Sequence, residues 1–403
     1  MRARTTSTCG SIHRRRTPAC KEGRSLVFQV YSPAGAALGL VEAYESVTWT
    51  RRLYEAGEVE IVAPATPEHL ALLKDGNIVV RDKTDGDAAI IEGVELERDE
   101  EGSTITATGQ LLAGVLARRI VAQDTALTGD AESVMLKLIG DNCVSVDDAR
   151  KIPGMSVPDS QGRGGEVTES KALGKTVLKA LTDIAETQGV GYRVLWPSWA
   201  VQIVMGLDRT KAQTTNPRAI LSVEGETLNA ISYKHDSAGS VNAATVYCDM
   251  RSSGTSLDSF SEAVGSASGL ERREIYLTAS PKDAVVTVEI RPADKGGGKV
   301  VTTDYTAGAI NVGKQALAEY AAEDAVSGRT SNLGGLVLRQ DFDLGDKVTI
   351  ASSEWGIEQD AVITETTETY DAEGVQVEIV FGKRSTVREL LTKDIDKEMG
   401  RNG

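Results

Sequence analysis

Histidine and cysteine are scarce in this 403-residue chain, three of one and four of the other. His13, His69 and His235 are scattered, as are Cys9, Cys20, Cys143 and Cys248, and none shows the close spacing of a structural zinc site. The sequence therefore assigns no metal ligands and no disulfide framework. Cys143 and Cys248 read as small apolar residues, buried or half-buried, of a protein made in a reducing cytosol. A chain this long can bury a core of its own without such staples. Aromatic residues make up 4%, too few for a platform on which sugars stack. Basic residues are outnumbered, 44 Lys and Arg against 59 Asp and Glu, and the net charge of −15 argues against a groove for nucleic acid, which needs a basic surface to displace counterions. No apolar run approaches the roughly 18 residues of a membrane span.

What is present is glycine, 40 residues of it against 10 Pro, with short runs in which Val and Thr recur in alternation. This pattern belongs to many short strands, so the fold class expected is α+β and β-rich. Residues 1–25 stand apart, with seven basic residues and one acid. Taking that +6 from −15 leaves −21 for residues 26–403. The segment lacks the apolar centre of a secretion signal. Lys21-Glu22-Gly23 is what a purine-rich ribosome-binding sequence gives when translated in frame. The expectation is a start assigned too early, or a disordered leader, and an intact native mass beginning at Met1 refutes the first.

From residue 26 the pattern predicts a strand over 27–31 with a turn at Gly35, strands near 45–49 and 58–62, and a short helix over 66–73 with Thr66 as N-cap and Pro67 at its first position. Strands at 78–81, 89–97 and 103–108 follow, the last two forming a hairpin around Asp99-Glu100-Glu101-Gly102. After Gly109 the period changes: Leu111, Leu112, Val115 and Leu116 share a helical face, as do Val134, Leu138 and Ile139 behind Asp130. Residues 153–169 read as a loop, 174–188 as a helix capped by Gly189, and 192–196 with 200–205 as a hairpin around Pro197-Ser198. A strand at 244–247, mobile loops at 252–269 and 294–298, a helix at 312–325 with Leu317, Tyr320 and Ala321 inward, and strands at 347–350, 361–370 and 375–381 complete the chain.

Two stretches resemble each other. Residues 91–102 and 363–374 both run from Ile to an acidic turn ending in Gly, and Gly76-Asn77-Ile78-Val79-Val80 stands before the first as Gly345-Asp346-Lys347-Val348-Thr349 stands before the second. The following strands close at Gly109 and Gly382. Unrelated hairpins also look alike at this level. Read as a repeat, the pattern predicts two related small β-barrel domains flanking a central α/β section: a first barrel over 26–110, a central α+β section over 111–240, strands with long mobile loops over 241–310, a helix plus a second barrel over 311–385, and a C-terminal helix or tail over 386–403.

Several motifs invite catalysis and fall short of it. Gly174-Lys175-Thr176 has the end of a phosphate-binding loop, but Glu169 stands where its first Gly belongs. Asp82, Asp85 and Asp87 lack the spacing of a calcium loop. Gly265-Ser266-Ala267-Ser268-Gly269 carries Ala where a nucleophile elbow needs Ser. His235 and Asp236, near Ser232, are neighbours on a strand and so face opposite ways, which does not make a triad. With 59 acids a carboxylate pair can always be found. No catalytic, cofactor-binding or metal residue is assigned, and the chain is expected not to be an enzyme.

Residues 41–82, with the run Ser46-Val47-Thr48-Trp49-Thr50-Arg51-Arg52-Leu53-Tyr54-Glu55-Ala56-Gly57-Glu58-Val59-Glu60, resemble the opening of the siphovirus ReqiPepy-type gene 37-like tail protein family. Ala117-Arg118-Arg119-Ile120, Gly206-Leu207-Asp208-Arg209-Thr210, Leu270-Glu271-Arg272-Arg273-Glu274 and Asp341-Phe342-Asp343-Leu344-Gly345-Asp346-Lys347-Val348 extend the resemblance over about residues 26–385. It implies a tail-hub fold and a structural role at the virion tail tip. It also implies a homotrimer made in the host bacterial cytoplasm, with the distal tail protein, tail tube, tape-measure protein and tip or receptor-binding proteins as partners. DNA is then a passing cargo, and no cofactor is implied. Two like barrels per chain would give three chains six near-equivalent positions against a hexameric tube. Only an amphipathic segment at 386–399 follows, so lytic or receptor-binding domains are expected on other chains. The competing classes are a receptor-binding adhesin, which a saccharide array would reveal, and a tail-associated hydrolase scaffold, which cell-wall zymography would reveal.

Overall fold

The computed structural model describes residues 26–81, 86–100, 102–123, 128–167, 172–250, 258–280, 284–291, 298–320, 323–330 and 335–382. The leader, the segment 386–399 and most of the loop at 294–298 lie outside these residues.

The chain opens with β1 (Phe28–Tyr31), β2 (Ala37–Val41), β3 (Ser46–Arg52), β4 (Glu58–Pro64), α1 (Pro67–Leu72), β5 (Ile78–Val80), β6 (Ala88–Arg98) and β7 (Ser103–Leu111). Alternation decides which face is buried: β3 turns Val47 and Trp49 inward, and β4 turns Val59, Ile61 and Ala63. The sheet rolls far enough for β1 and β3 to share one core. Phe28 stacks on Trp49 with ring centroids 6.2 Å apart and meets Tyr44 edge-on at 5.7 Å. The helix α1 starts where its cap dictates, Thr66 Oγ1 accepting the His69 N–H at 3.1 Å. Thr66→Ala is expected to cost about 1 kcal/mol in a urea titration, the usual worth of an N-cap.

The central section holds a 3-10 helix Leu112–Arg118, β8 (Gly129–Asp130), α2 (Ala131–Ile139), β9 (Glu166–Val167), α3 (Val177–Gln188), β10 (Gly191–Leu195) and β11 (Ala200–Val204). It packs Leu116, Met135, Ile139, Leu181 and Ala185 into one core with Ile78 and Val80 of β5 and Ala88 and Ile90 of β6. The helix α3 begins three residues later than its periodicity predicts, because Gly174 sits at φ +80° and Thr176 caps the helix by accepting the Lys179 N–H. Gly189, at φ +66°, ends it as expected.

Next come β12 (Ile220–Leu221), β13 (Ala230–Asp236), β14 (Ala243–Cys248), β15 (Phe260–Val264), β16 (Glu274–Ala279), β17 (Val285–Arg291), β18 (Gly298–Asp304), α4 (Tyr305–Glu319), β19 (Glu323–Thr330), β20 (Lys347–Ser352), β21 (Ile357–Asp371) and β22 (Gly374–Phe381). Two expectations are corrected here. The Ser-rich stretch 252–269 is not all loop, since residues 260–264 form β15 and pair with β14. The helix expected at 312–325 runs from Tyr305, capped by Asp304, and stops at Glu319. Gly308 and Gly313 weaken its sequence signal, yet Gly313 serves the packing: a Cβ there would lie 2.6 Å from Val264 Cγ2.

The large sheet runs in the order β13-β19-β22-β21-β3-β4-β7-β6-β5-β1-β2, with β20 beside β21 and β12 beside β20. The expected pair of closed barrels is absent among the described residues. Two modules instead lie along one open path, joined where β21 pairs with β3. Their likeness is nonetheless detailed. Gly76 N–H donates to Ile91 O and Ile91 N–H to Asn77 O, at 2.8 and 2.9 Å; Gly345 to Ile363 and Ile363 to Asp346 repeat both bonds at the same lengths. Each long strand then carries a bulge at the same place, Ile91/Gly93 and Ile363/Glu365. Each ends in a turn whose aspartate, Asp99 or Asp371, accepts the N–H of Gly102 or Gly374. One correction applies to the closing strand: opposite Ile91 and Ile363 stand Gly109 and Phe381, so Gly382 is one residue late. Following the registers outward, β3-β4-β7-β6-β5 corresponds to β13-β19-β22-β21-β20, and Ser46–Arg52 falls on Ala230–Asp236.

Candidate functional site: the junction of the two modules

The β3–β21 pairing, from Arg52 opposite Glu365 to Ser46 opposite Asp371, joins chain regions more than 300 residues apart. On its outer face Arg52 Nε donates to Glu365 at 2.9 Å and Thr50 Oγ1 meets Thr367 Oγ1 at 3.1 Å. On its inner face lies a buried ionic cluster. Arg339 donates through Nε and Nη2 to Glu368 Oε1 at 2.9 and 2.8 Å, and through Nη1 to Asp87 Oδ2 at 2.7 Å. Arg81 reaches Glu368 Oε2 at 2.6 Å and the Tyr370 hydroxyl at 3.0 Å, and Arg51 reaches Asp343 at 2.7 Å. Three guanidiniums thus face three carboxylates drawn from both modules.

Charge balance sets the ionisation of this cluster. Burial works to raise the Asp87 and Glu368 carboxyls, but Arg339 with Arg51 beside one, and Arg339 with Arg81 beside the other, hold both below the ordinary carboxylate range. Burial and the Glu368 charge push the Tyr370 hydroxyl upward. A carboxylate whose folded pKa is depressed contributes stability that is present above its unfolded value, about 4, and is lost as pH falls through the folded value. The urea midpoint is therefore expected to hold from about pH 7 to about pH 5 and to fall steadily below about pH 4, with Asp87→Asn flattening that fall. A midpoint insensitive to acid counts against the cluster.

A cleft of about 220 Å³ opens beside the cluster, lined by Arg51, Asp87, Arg163, Tyr192 and Arg193 among others. Its guanidiniums are held by the protein's own acids: Arg51 by Asp343, Arg163 by Glu132 at 2.7 Å, and Arg193 near Asp87 at 3.6 Å. The arrangement locks elements of both modules together. Burial raises the Cys143 thiol to about 11 against the pull of Arg119 and Arg150, so it stays protonated.

The motifs weighed from the sequence are dispersed. Lys175 pairs with Asp183 at 2.7 Å. Asp82 and Asp85 lie outside the described residues, and Asp87 belongs to the ionic cluster. Gly265, at φ +95°, takes the chain from β15 close past Asn242. His235 and Asp236 are backbone neighbours in β13, opposite Asp324 and Glu323 of β19. His69 is buried, with Nδ1 2.7 Å from Pro64 O. Cys143 and Cys248 are buried and unpaired with each other, while Cys9, Cys20 and His13 lie outside the described residues. Among the described residues no group of three or more His, Cys, Asp or Glu is placed to hold a metal ion, and no helix is long and apolar enough to cross a membrane. No sequence motif marks the buried cluster. Its signal was a Thr-Arg-Arg run inside a strand, set against the acidic turn around Asp343.

This β-rich fold with its large, mostly antiparallel sheet is similar to that of solved phage tail proteins. The tail protein from Neisseria meningitidis MC58 matches with a TM-score of 0.57 at 15% identity, over 89% of this chain and 96% of that one. The 43 kDa tail protein of prophage MuSo2 from Shewanella oneidensis matches with a TM-score of 0.54 at 13% identity, over 89% and 98%. No curated protein matches in sequence. The profile of the Siphovirus ReqiPepy6 Gp37-like protein family matches residues 27–383, and the chain belongs to that family.

Proposed function

We propose that this chain is a structural hub subunit of a siphovirus tail, a ring-forming component at the distal end of the tail tube that connects the tube to the tip. The observation that carries the reading is the matched pair of sheet modules joined edge to edge, in a chain of a siphoviral family with a tail-protein fold. Three copies then offer six near-equivalent sheet modules, which meets a six-fold tube without a symmetry mismatch. The partners are the tail tube, the distal tail and tape-measure proteins, and the tip proteins. The chain acts by assembly, not by turnover, which suits a site whose charged groups are consumed in internal ion pairs. A net charge of −15 suits a passage that repels DNA and lets it slide. The test is the mass in solution of the full chain, alone and with the proteins of the neighbouring tail genes. Three copies are expected; a single copy under every condition overturns the reading.

A further inference from the structure

The junction inside the chain is a template for a contact between chains. The outer edge of β21 is covered over residues 365–371 by β3. The matching edge is residues 93–99, the end of β6 and the residue after it, and among the described residues no strand lies along it. The counterpart of β3 is β13, which pairs with β19 on one side and has no described strand on its other. The chain therefore carries one filled junction and the two halves of a second, which lie far apart in the strand order and do not pair with each other among the described residues.

We infer that β13 of one copy adds to the edge of β6 in the next, in the antiparallel register of the internal junction: Ala230 opposite Asp99, Ser232 opposite Glu97, Tyr233 opposite Leu96 and Lys234 opposite Glu95. This rests on the ring reading above and names the surfaces that close the ring. The register comes from carrying Ser46↔Asp371 through Arg52↔Glu365 onto the second pair of strands by the correspondences of the two modules.

Side-chain chemistry agrees with that register. Where the internal junction buries Trp49, the second places Tyr233, 41% exposed in the lone chain, and opposite it Leu96, 59% exposed, with Val94 at 43% beside it. Three large apolar groups lie exposed on the face that is buried at the first junction. On the other face, Lys234 takes the place of Thr50, and Glu95 that of Thr367, so an ion pair replaces the hydroxyl contact. Exposed apolar strand edges invite pairing, and charges such as Glu95 and Glu97 on the edge admit a complementary partner while opposing a like one.

The test is a cysteine pair in the full chain with Cys9 and Cys20 replaced by Ser. E95C/K234C, oxidised with copper phenanthroline, is expected to give disulfide-linked multimers of the chain, while V94C/K234C, one residue out of register, stays uncross-linked. L96K is expected to raise the concentration for half-assembly tenfold or more, about 1.4 kcal/mol or above, and to leave the melting temperature of the lone chain unchanged. Assembly of the expected mass with no 95–234 cross-link, or with L96K assembling like the parent, overturns the edge pairing and leaves the ring standing. A chain that stays single even with its tail neighbours overturns both.

Discussion

Arg339→Ala is expected to lower the unfolding free energy by about 3–5 kcal/mol, the usual loss when one partner of a buried ion pair is removed. Its guanidinium is the centre of the inter-module cluster, with three hydrogen bonds to two carboxylates that are 2% and 5% exposed. Without it Glu368 keeps Arg81, while Asp87 loses its 2.7 Å bond, with Arg51 and Arg193 standing farther off at 3.9 and 3.6 Å. Desolvating a carboxylate without close compensation costs more than the ion pair gained, which is why the removal is dearer than the pair is worth. The backbone at Arg339 is left-handed, φ +71°, and Ala is no better or worse suited to it than Arg, so the loss reports the charge. Arg339→Lys keeps a positive charge but cannot span Glu368 and Asp87 at once, and should fall between. Urea titrations of the three chains at neutral pH check the order. A loss under about 1 kcal/mol for the alanine variant would mean that packing, not charge, holds the modules together.

The repeat was legible in the sequence because its marks are local: a Gly before a strand, an Ile at the bulge and an Asp-to-Gly turn follow one another at fixed spacing in both copies. Local chemistry also disclosed the Thr66 and Gly189 caps and the hairpin around Pro197. The partners of the repeat's outer strands were not legible. The strand β13, Ala-Ile-Ser-Tyr-Lys-His-Asp, ends on three consecutive titratable residues, and β19, Glu-Asp-Ala-Val-Ser-Gly-Arg-Thr, has an internal Gly and few apolar residues. Neither alternates clearly, because what makes each a strand is its neighbour across the sheet and not its own pattern. The same cause hid the open path of the sheet. Whether strand order closes on itself depends on pairings between residues hundreds of positions apart, and a hairpin motif carries no information about them. The buried cluster was hidden for a related reason: Arg51, Asp87, Arg339 and Glu368 come from four separate segments, and each alone reads as an ordinary surface charge.

One position of the repeat allows a second large effect to be weighed against its own copy. Trp49 and Tyr233 are equivalent, yet Trp49 is fully buried against Phe28 and Tyr233 is 41% exposed. Trp49→Ala is expected to cost about 3–5 kcal/mol, the range for deleting a buried indole and leaving its cavity. Tyr233→Ala should cost less, about 1–2 kcal/mol in the isolated chain, since 41% of its surface stays in water there. Trp49→Phe separates two contributions. The indole Nε1 of Trp49 is buried with no hydrogen-bond partner, and an unsatisfied donor of that kind carries a penalty of about 1–3 kcal/mol. Phenylalanine relieves the penalty while leaving a smaller cavity, so its net loss should stay below about 2 kcal/mol, well short of alanine's. Urea titrations followed by circular dichroism, which does not depend on the tryptophan removed, measure all three. A Tyr233→Ala loss in the lone chain as large as that of Trp49→Ala would mean that the edge of β13 is already covered within one copy, and the docking of a second copy onto it would have no surface to use.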